Sequence, residues 1–376
     1  MPLRKRELLE RGVDVIDLGA GDADLSPPAA AVERLRELSL RLELGRYGFA
    51  TGYKPFREAV VTYMHERFGV EFDPVTETVP LIGSKEGLSL LGLAYVSPGD
   101  ALIVPEPGFV SYIGGARLGE GEPHFVPLRA EKGFLLDLDE VPADVAARAR
   151  LLYLNYPNNP TAAVAPMSYL RDVVAWCREH DVLLAFDNAY AEMGFAGYRP
   201  PGIFEVEGAR EIALEFHTLS KTFNMTGWRL GWVNGDARLL EPLARVKSFV
   251  DMGQYMPLQG AGAAALKTRH DFIAGNMAVF EQRRDAAVAA FHAVGFEVKV
   301  PQATMYLWLH LPEGIDDLEF TMALMEREGM IVIPGQGLGP SCAGWFRIAL
   351  TTGPERLVEA AQRAGRVLAE LRQASA

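Results

Sequence analysis

The chain has 376 residues, more than one hydrophobic core usually organises, so a large and a small domain are expected. Its 49% hydrophobic and 23% charged residues exclude a disordered or low-complexity chain. The balance of 37 basic against 49 acidic residues gives −12, which excludes a general binder of nucleic acid or anionic membrane but leaves room for a local basic pocket. Two cysteines, Cys177 and Cys342, are too few for a disulfide framework or a cysteine zinc site, and they point to a reducing, cytoplasmic compartment. No H-E-x-x-H pair is present, so no metal site is expected. The first residues lack the apolar centre of a signal peptide, and no apolar run has the roughly 18 residues of a membrane span.

Along the chain, short apolar runs predict strands at 79–82, 101–104, 151–154, 182–186, 212–218 and 230–233. Between them, helical patterns occupy 84–96, 166–180 and 236–249. The apolar runs are continuous rather than alternating, as in strands buried on both faces of a mostly parallel sheet. An α/β layered sheet follows, with ligands expected beyond the carboxyl ends of its strands. The tail differs. A long helix at 271–293 leads into strands at 297–300 and 305–310, a helix at 317–328, strands at 330–333 and 345–350, and a helix from Pro354. This part reads as a smaller α+β domain, 271–376, joined by residues 1–44, and it leaves 45–270 for the sheet domain.

The most informative stretch is Thr218-Leu-Ser-Lys-Thr-Phe-Asn-Met-Thr-Gly-Trp-Arg. Lys221 follows an apolar strand, has hydroxyls at Thr218, Ser220 and Thr222 beside it, and is followed eight residues later by Arg229. A strand-end lysine can act as a nucleophile or Schiff-base partner, and hydroxyls with an arginine suit a phosphate dianion. Read alone, Lys221 is more simply an exposed loop lysine with an unrelated salt-bridging arginine. Asn155-Tyr-Pro-Asn-Asn-Pro-Thr sets a stiff turn at another strand end, with or without a ligand. Asp187 directly follows the apolar run Leu183-Leu-Ala-Phe, where a carboxylate needs a cation or a donor; a helix cap or loop-ordering role is the alternative. Gly83-Ser-Lys-Glu-Gly turns from strand to helix, with Ser84 as the expected N-cap and an anion site at the helix start. Arg347, inside Phe-Arg-Ile-Ala-Leu, is a charge in an apolar strand, either paired structurally or free to grip a carboxylate.

In this order the motifs resemble those of the fold-type I pyridoxal-phosphate aminotransferases of class I/II, over nearly the whole chain. The resemblance implies a large cofactor-binding domain with a mostly parallel, seven-stranded-type sheet flanked by helices, plus the smaller α+β domain. It implies that Lys221 bonds the cofactor aldehyde and serves as the base of the proton shift. Asp187 would hold the ring nitrogen protonated, Tyr190 and Asn159 would bond the ring 3-oxygen, and Phe109 would stack on the ring. Ser84, Lys85 through its backbone, Thr218, Ser220 and Arg229 would cradle the phosphate. Tyr47 would reach the phosphate of a partner subunit, making a homodimer part of the site. Gly21, Asn159 and Arg347 would hold the substrate carboxylate.

Three departures stand out from the family pattern. Asn-Pro-Thr is followed by Ala162 rather than glycine, Thr218 replaces a serine, and Phe109 stands where relatives often have tyrosine. The stretches at Gly83-Ser-Lys-Glu-Gly, Thr218–Met225 and Lys247-Ser-Phe-Val-Asp most resemble the branch of LL-diaminopimelate, alanine and aspartate aminotransferases. The diaminopimelate enzymes carry a glutamate three positions after the phosphate tyrosine, and Ala50 stands there, which argues against that substrate. Tyr53, Lys54, Tyr255 and Met256 are candidate specificity residues that packing explains equally well. The leading function is ping-pong transfer of an amino group between an L-amino acid and a 2-oxo acid, 2-oxoglutarate in the first place. The alternatives are a C–S or β-elimination lyase of the same fold, and a non-catalytic cofactor-binding regulator.

Overall fold

The computed structural model describes residues 2–48 and 52–374. The chain begins with α1 (Pro2–Glu10), β1 (Ile16–Asp17), α2 (Ala29–Ser39) and α3 (Lys54–Phe68). The sheet region follows as β2 (Thr78–Leu81), α4 (Ser84–Tyr95), β3 (Ala101–Glu106), α5 (Val110–Leu118), β4 (Glu122–Pro127), α6 (Ala143–Ala146) and β5 (Ala149–Leu154). It continues through α7 (Met167–His180), β6 (Leu183–Asp187), β7 (Ala213–Thr218), β8 (Gly231–Gly235), α8 (Ala237–Val250) and α9 (Met256–Lys267). The chain ends with α10 (Arg269–Ala293), β9 (Tyr306–His310), α11 (Asp317–Glu328), β10 (Met330–Ile331), β11 (Ile333–Pro334), β12 (Trp345–Ala349) and α12 (Pro354–Ala374).

Seven strands form the central sheet in the order β2-β8-β7-β6-β5-β3-β4. Strands β4, β3, β5, β6 and β7 run parallel, and β8 runs antiparallel to both of its neighbours. The continuous apolar runs have the cause expected of them, because both faces of the sheet are covered. Ile103, Leu152, Leu184 and Phe186 pack with Leu170, Val173, Val174 and Cys177 of α7 on one side. Leu102, Leu151, Leu183 and Leu214 pack with α4, α5 and α8 on the other. Alternate residues thus serve opposite layers. α7 shows the helical counterpart, its buried residues falling three and four apart.

Three expectations are corrected. β4 went unpredicted because Pro123 and Pro127 interrupt it; it lies at the sheet edge, where a missing N–H is tolerated. Residues 297–300 make a single bridge, Glu297 to His310, rather than a strand, and Pro301 follows immediately. The N-cap of α4 is Gly83 (φ 74°), not Ser84, which occupies the first helical position.

In the C-terminal part, β11, β12 and β9 form an antiparallel sheet, and β1 pairs in parallel with β10. The closing helix α12 buries Leu357, Ala360, Ala361, Ala364, Val367, Leu368 and Leu371 against this core. Each fully buried Leu or Val there contributes about 1.5–3 kcal/mol relative to exposure. Near the start of the chain, α2 packs on α9.

Candidate active site

A cavity of about 530 Å³ opens beyond the carboxyl ends of the parallel strands. Gly21, Ser84, Lys85, Phe109, Asn159, Asp187, Tyr190, Thr218, Ser220, Lys221, Arg229 and Arg347 all line it, although they span 326 positions of sequence from Gly21 to Arg347. The fold does this simply. β5 ends at Leu154 and hands the chain to the Asn155–Asn159 turn, β6 ends on Asp187, and β7 ends on Thr218 just before Lys221.

Asp187 is buried, and only one of its oxygens is satisfied: Tyr112 donates to Oδ2 at 2.8 Å, while Oδ1 has no partner. Burial pushes the Asp187 carboxyl up to about 6, against the hydrogen bond from Tyr112, the charge of His217 and a weaker bond from the Ala189 backbone. His217 stacks on Trp232 with centroids 5.0 Å apart, and its Nε2 lies 3.2 Å from the fully buried Glu215. An unmatched carboxylate oxygen facing a cavity is a docking point for a protonated nitrogen.

Beside it lies an anion-shaped cup. Thr218 Oγ1 donates to Ser220 Oγ at 2.9 Å, and Ser84 is buried at the start of α4. Arg229 adopts φ 54°, with Nη1 donating to Thr226 O at 3.0 Å. Gly83 is favoured here by its positive φ, and its missing Cβ leaves room for the Arg229 guanidinium. A Cβ at that position would sit 2.5 Å from Arg229 Nη2. Backbone N–H groups at the helix start, hydroxyls and a guanidinium together suit a phosphate monoester. Phe109, the N-cap residue of α5, closes one side, with Lys85 Nζ 5.7 Å from its ring centre.

The opposite wall comes from the C-terminal sheet and the chain's beginning. Arg347 on β12 donates from Nη1 to Asn159 Oδ1 at 2.8 Å and from Nη2 to Gly19 O, while its Nε has no partner. Lys221 Nζ donates to Gly21 O. Tyr306, which sequence reasoning missed, stands between these groups. Its ring lies 4.4 Å below the Arg347 guanidinium carbon, and it accepts a hydrogen bond from Tyr190 at 3.3 Å. A Cβ on Gly21 would collide with its hydroxyl at 2.0 Å. Burial pushes the Tyr306 hydroxyl up, but the charges of Lys221 and Arg347 and the bond from Tyr190 outweigh it and hold it below the usual phenol range. Tyr190 is pushed well up by its own burial and by Tyr306. The available signal was strand alternation, which puts Tyr306 on the same face of β9 as Trp308, opposite Arg347. Thr226, whose hydroxyl donates to Ser220 O at 3.1 Å, was also missed, though it lies inside the Lys221 stretch.

Tyr47 is 71% exposed and does not line this cavity, and neither do Tyr53, Lys54, Tyr255 or Met256. Ala50 lies outside the described residues. Ala162 adopts φ 57°, so an alanine occupies a backbone conformation that favours glycine. A second cleft of about 870 Å³, lined by Phe134, Trp308 and Trp345 among others, shares Tyr306 with the first.

The donor set fits pyridoxal 5'-phosphate on three counts. Lys221 supplies the amine for its aldehyde, the unpaired Asp187 Oδ1 an anion for its ring nitrogen, and the cup at Gly83 and Arg229 room and charge for its phosphate. The family model for aminotransferase class I and II matches residues 13–364. An LL-diaminopimelate aminotransferase from Moorella thermoacetica is 43% identical over 97% of this chain and 94% of its own length. Among solved structures, a probable N-succinyldiaminopimelate aminotransferase from Thermus thermophilus superposes with a TM-score of 0.92 at 39% identity, covering 97% of this chain and 98% of that one. An aromatic aminotransferase from Pyrococcus horikoshii gives 0.90 at 30% identity, covering 98% and 99%. The chain belongs to aminotransferase class I and II and is a pyridoxal-phosphate-dependent aminotransferase.

Proposed function

We propose that the protein transfers an amino group from an amino acid of the LL-diaminopimelate class to a 2-oxo acid, 2-oxoglutarate in the first place, by a ping-pong cycle. The observation that carries the reading is a single cavity joining Lys221, the half-satisfied Asp187 and the Arg347 fork. The substrate class rests on relatives, and against the departure at Ala50: several LL-diaminopimelate aminotransferases are 42–44% identical over most of the chain.

When bound, pyridoxal phosphate supplies an aldehyde that captures the substrate amine and a ring that withdraws charge from the α-carbon. The protein does the rest. Arg347 grips the α-carboxylate with its planar fork, exchanging Asn159 Oδ1 and Gly19 O for carboxylate oxygens. Asp187 Oδ1 holds a proton on the facing nitrogen, which in turn restores the ionised carboxylate. Tyr190 and Asn159 offer hydrogen bonds to the ring's 3-oxygen. Lys221 Nζ would take the α-proton as general base and give it back as general acid. Ser84, Lys85, Thr218, Ser220 and Arg229 anchor the phosphate so that this geometry holds.

We further assign residues 45–270 to the cofactor-binding domain and 1–44 with 271–376 to the smaller one, supported by the pairing of β1 with β10. A cytoplasmic homodimer completes the reading. Tyr47 is exposed and does not line its own cavity, and Leu40, Leu42, Phe249 and Met252 are exposed apolar side chains that a partner subunit would cover. No helix among the described residues is long and apolar enough to cross a membrane.

The test is a half-reaction screen in which the purified holoenzyme is mixed with single amino acids and its visible absorbance is followed. Diaminopimelate is expected to convert the cofactor to its amine form fastest, ahead of alanine, aspartate, glutamate and aromatic amino acids. Release of ammonia and pyruvate without an oxo-acid acceptor would instead identify a lyase.

A further inference from the structure

Two acidic side chains that play no part in the chemistry above, from two of the sequence motifs, meet in the fold. Glu86, from Gly83-Ser-Lys-Glu-Gly, and Asp251, from Lys247-Ser-Phe-Val-Asp, both accept from Lys247 Nζ. The distances are 2.9 Å to each Glu86 oxygen, and 2.8 and 2.9 Å to those of Asp251. Lys247 is 1% exposed, an unusual place for an ammonium group. The Lys247 ammonium is thus out of water, with two half-buried carboxylates as its partners, and needs a reason to be there.

Each group is tied to a different segment. Glu86 Oε2 accepts from Ile82 N at 2.7 Å and so fixes the turn that leads into Ser84 and the first turn of α4. Lys247 belongs to the last turn of α8. Asp251 Oδ1 accepts from Gly253 N at 2.5 Å and orders the loop after that helix. From this loop Gln254 Nε2 donates to Trp228 O and Arg229 O, both at 2.7 Å. Gln259 donates to Gln254 O at 2.7 Å and locks the loop in turn. A line of hydrogen bonds, joined through the Gly253–Gln254 peptide, therefore runs from Ile82, two residues before Ser84, to Arg229 on the other side of the anion cup. Arg229 needs such support because its backbone sits at φ 54°.

We propose that Glu86, Lys247 and Asp251 are positioning residues for the phosphate cup, setting the spacing between the start of α4 and Arg229. The proposal rests on the reading of that cup as the phosphate site. Burial and the bond to Asp251 push the Glu86 carboxyl up to about 7. Burial also acts on Asp251, but bonds from Glu86 and Lys247 prevail and keep it below the usual carboxylate range. Below about pH 7 the two acids share one proton and the cluster is electrically neutral. Either acid can therefore be removed and leave a neutral pair with Lys247, so Glu86→Ala and Asp251→Ala are expected to fold.

The test compares retention of pyridoxal 5'-phosphate with that of pyridoxal, which lacks the phosphate, on holoenzyme prepared from wild type, Glu86→Ala, Asp251→Ala and Arg229→Gln. Thermal unfolding of each is recorded alongside. Both alanine variants are expected to lose pyridoxal phosphate about tenfold to a hundredfold more readily, with pyridoxal affinity unchanged, because a misplacement of roughly 1 Å costs on that scale. Wild-type retention in both variants would overturn the proposal, as would equal weakening of the two ligands, which marks general destabilisation. Arg229→Gln separates the two readings: if it too fails to discriminate between the ligands, the cup itself is misassigned.

Discussion

The two walls of the cavity are built differently. The wall at the sheet rim is set by interior bonds that a ligand leaves intact: Tyr112 to Asp187, Asn155 to the Asp187 carbonyl, and Asn188 to Glu215. The wall formed by β9 and β12 meets it through bonds that a substrate would replace, Arg347 to Asn159 and Arg347 to Gly19. One wall is preorganised and the other exchangeable. That division suits an enzyme that keeps its cofactor through both halves of a cycle while two substrates come and go.

The largest effect should follow removal of the amine on the fixed wall. Lys221→Ala is expected to lower steady-state transamination by about four orders of magnitude, since the variant lacks its general acid–base group. On the exchangeable wall, Arg347→Lys keeps the charge but loses the fork, so kcat/KM for amino acids should fall about 100-fold. Cofactor retention in that variant should not change. Equal losses in retention and kcat/KM would erase the distinction between the walls.

The fixed wall carries a stability cost that pH exposes. Asp187 has its carboxyl pushed up to about 6, from an ordinary 3.8, so the folded chain keeps a proton that the unfolded chain releases. Its contribution is fully present below the ordinary value and is lost as pH rises through about 6. Cofactor-free Asp187→Asn should therefore be more stable than wild type at pH 8 by roughly 3 kcal/mol, and no more stable at pH 3.5, in urea unfolding. The same variant should be nearly inactive. Greater stability at the lower pH instead would reverse the sign argued here.

Tyr306→Phe keeps the ring beneath Arg347 and removes only the hydroxyl. It is expected to lower kcat/KM about tenfold and to shift the pH at which the holoenzyme's visible absorbance changes, since Tyr190 loses its acceptor. The smallest effect is at Ala162. Ala162→Gly should stabilise the fold by about 0.5–1 kcal/mol by relieving the left-handed backbone, with unchanged kinetics.

The contrast between the walls also explains what could be read from sequence. The fixed wall is written in contiguous stretches, Asn155–Thr161, Asp187–Tyr190 and Thr218–Arg229, because each occupies one strand end and its loop. The exchangeable wall is assembled from Gly19, Tyr306 and Arg347, and only strand pairing places Tyr306 beside the rest. Arg347 was visible because a charge in an apolar strand asks for a partner. A tyrosine in such a strand asks for none and reads as core. The seven-stranded sheet was legible except at β4, where two prolines hide an edge strand, and the Ser84 cap gave way to a glycine that leaves room for Arg229.

The account depends above all on Lys221 being the residue that carries the cofactor. Borohydride reduction of the holoenzyme, which fixes the cofactor to the amine that bonds it, followed by peptide mass mapping, tests this directly. Modification confined to the peptide containing Lys221, and absent after reaction with an amino donor, is predicted. Modification at Lys85, Lys247 or any other lysine, or none in the untreated holoenzyme, would contradict it.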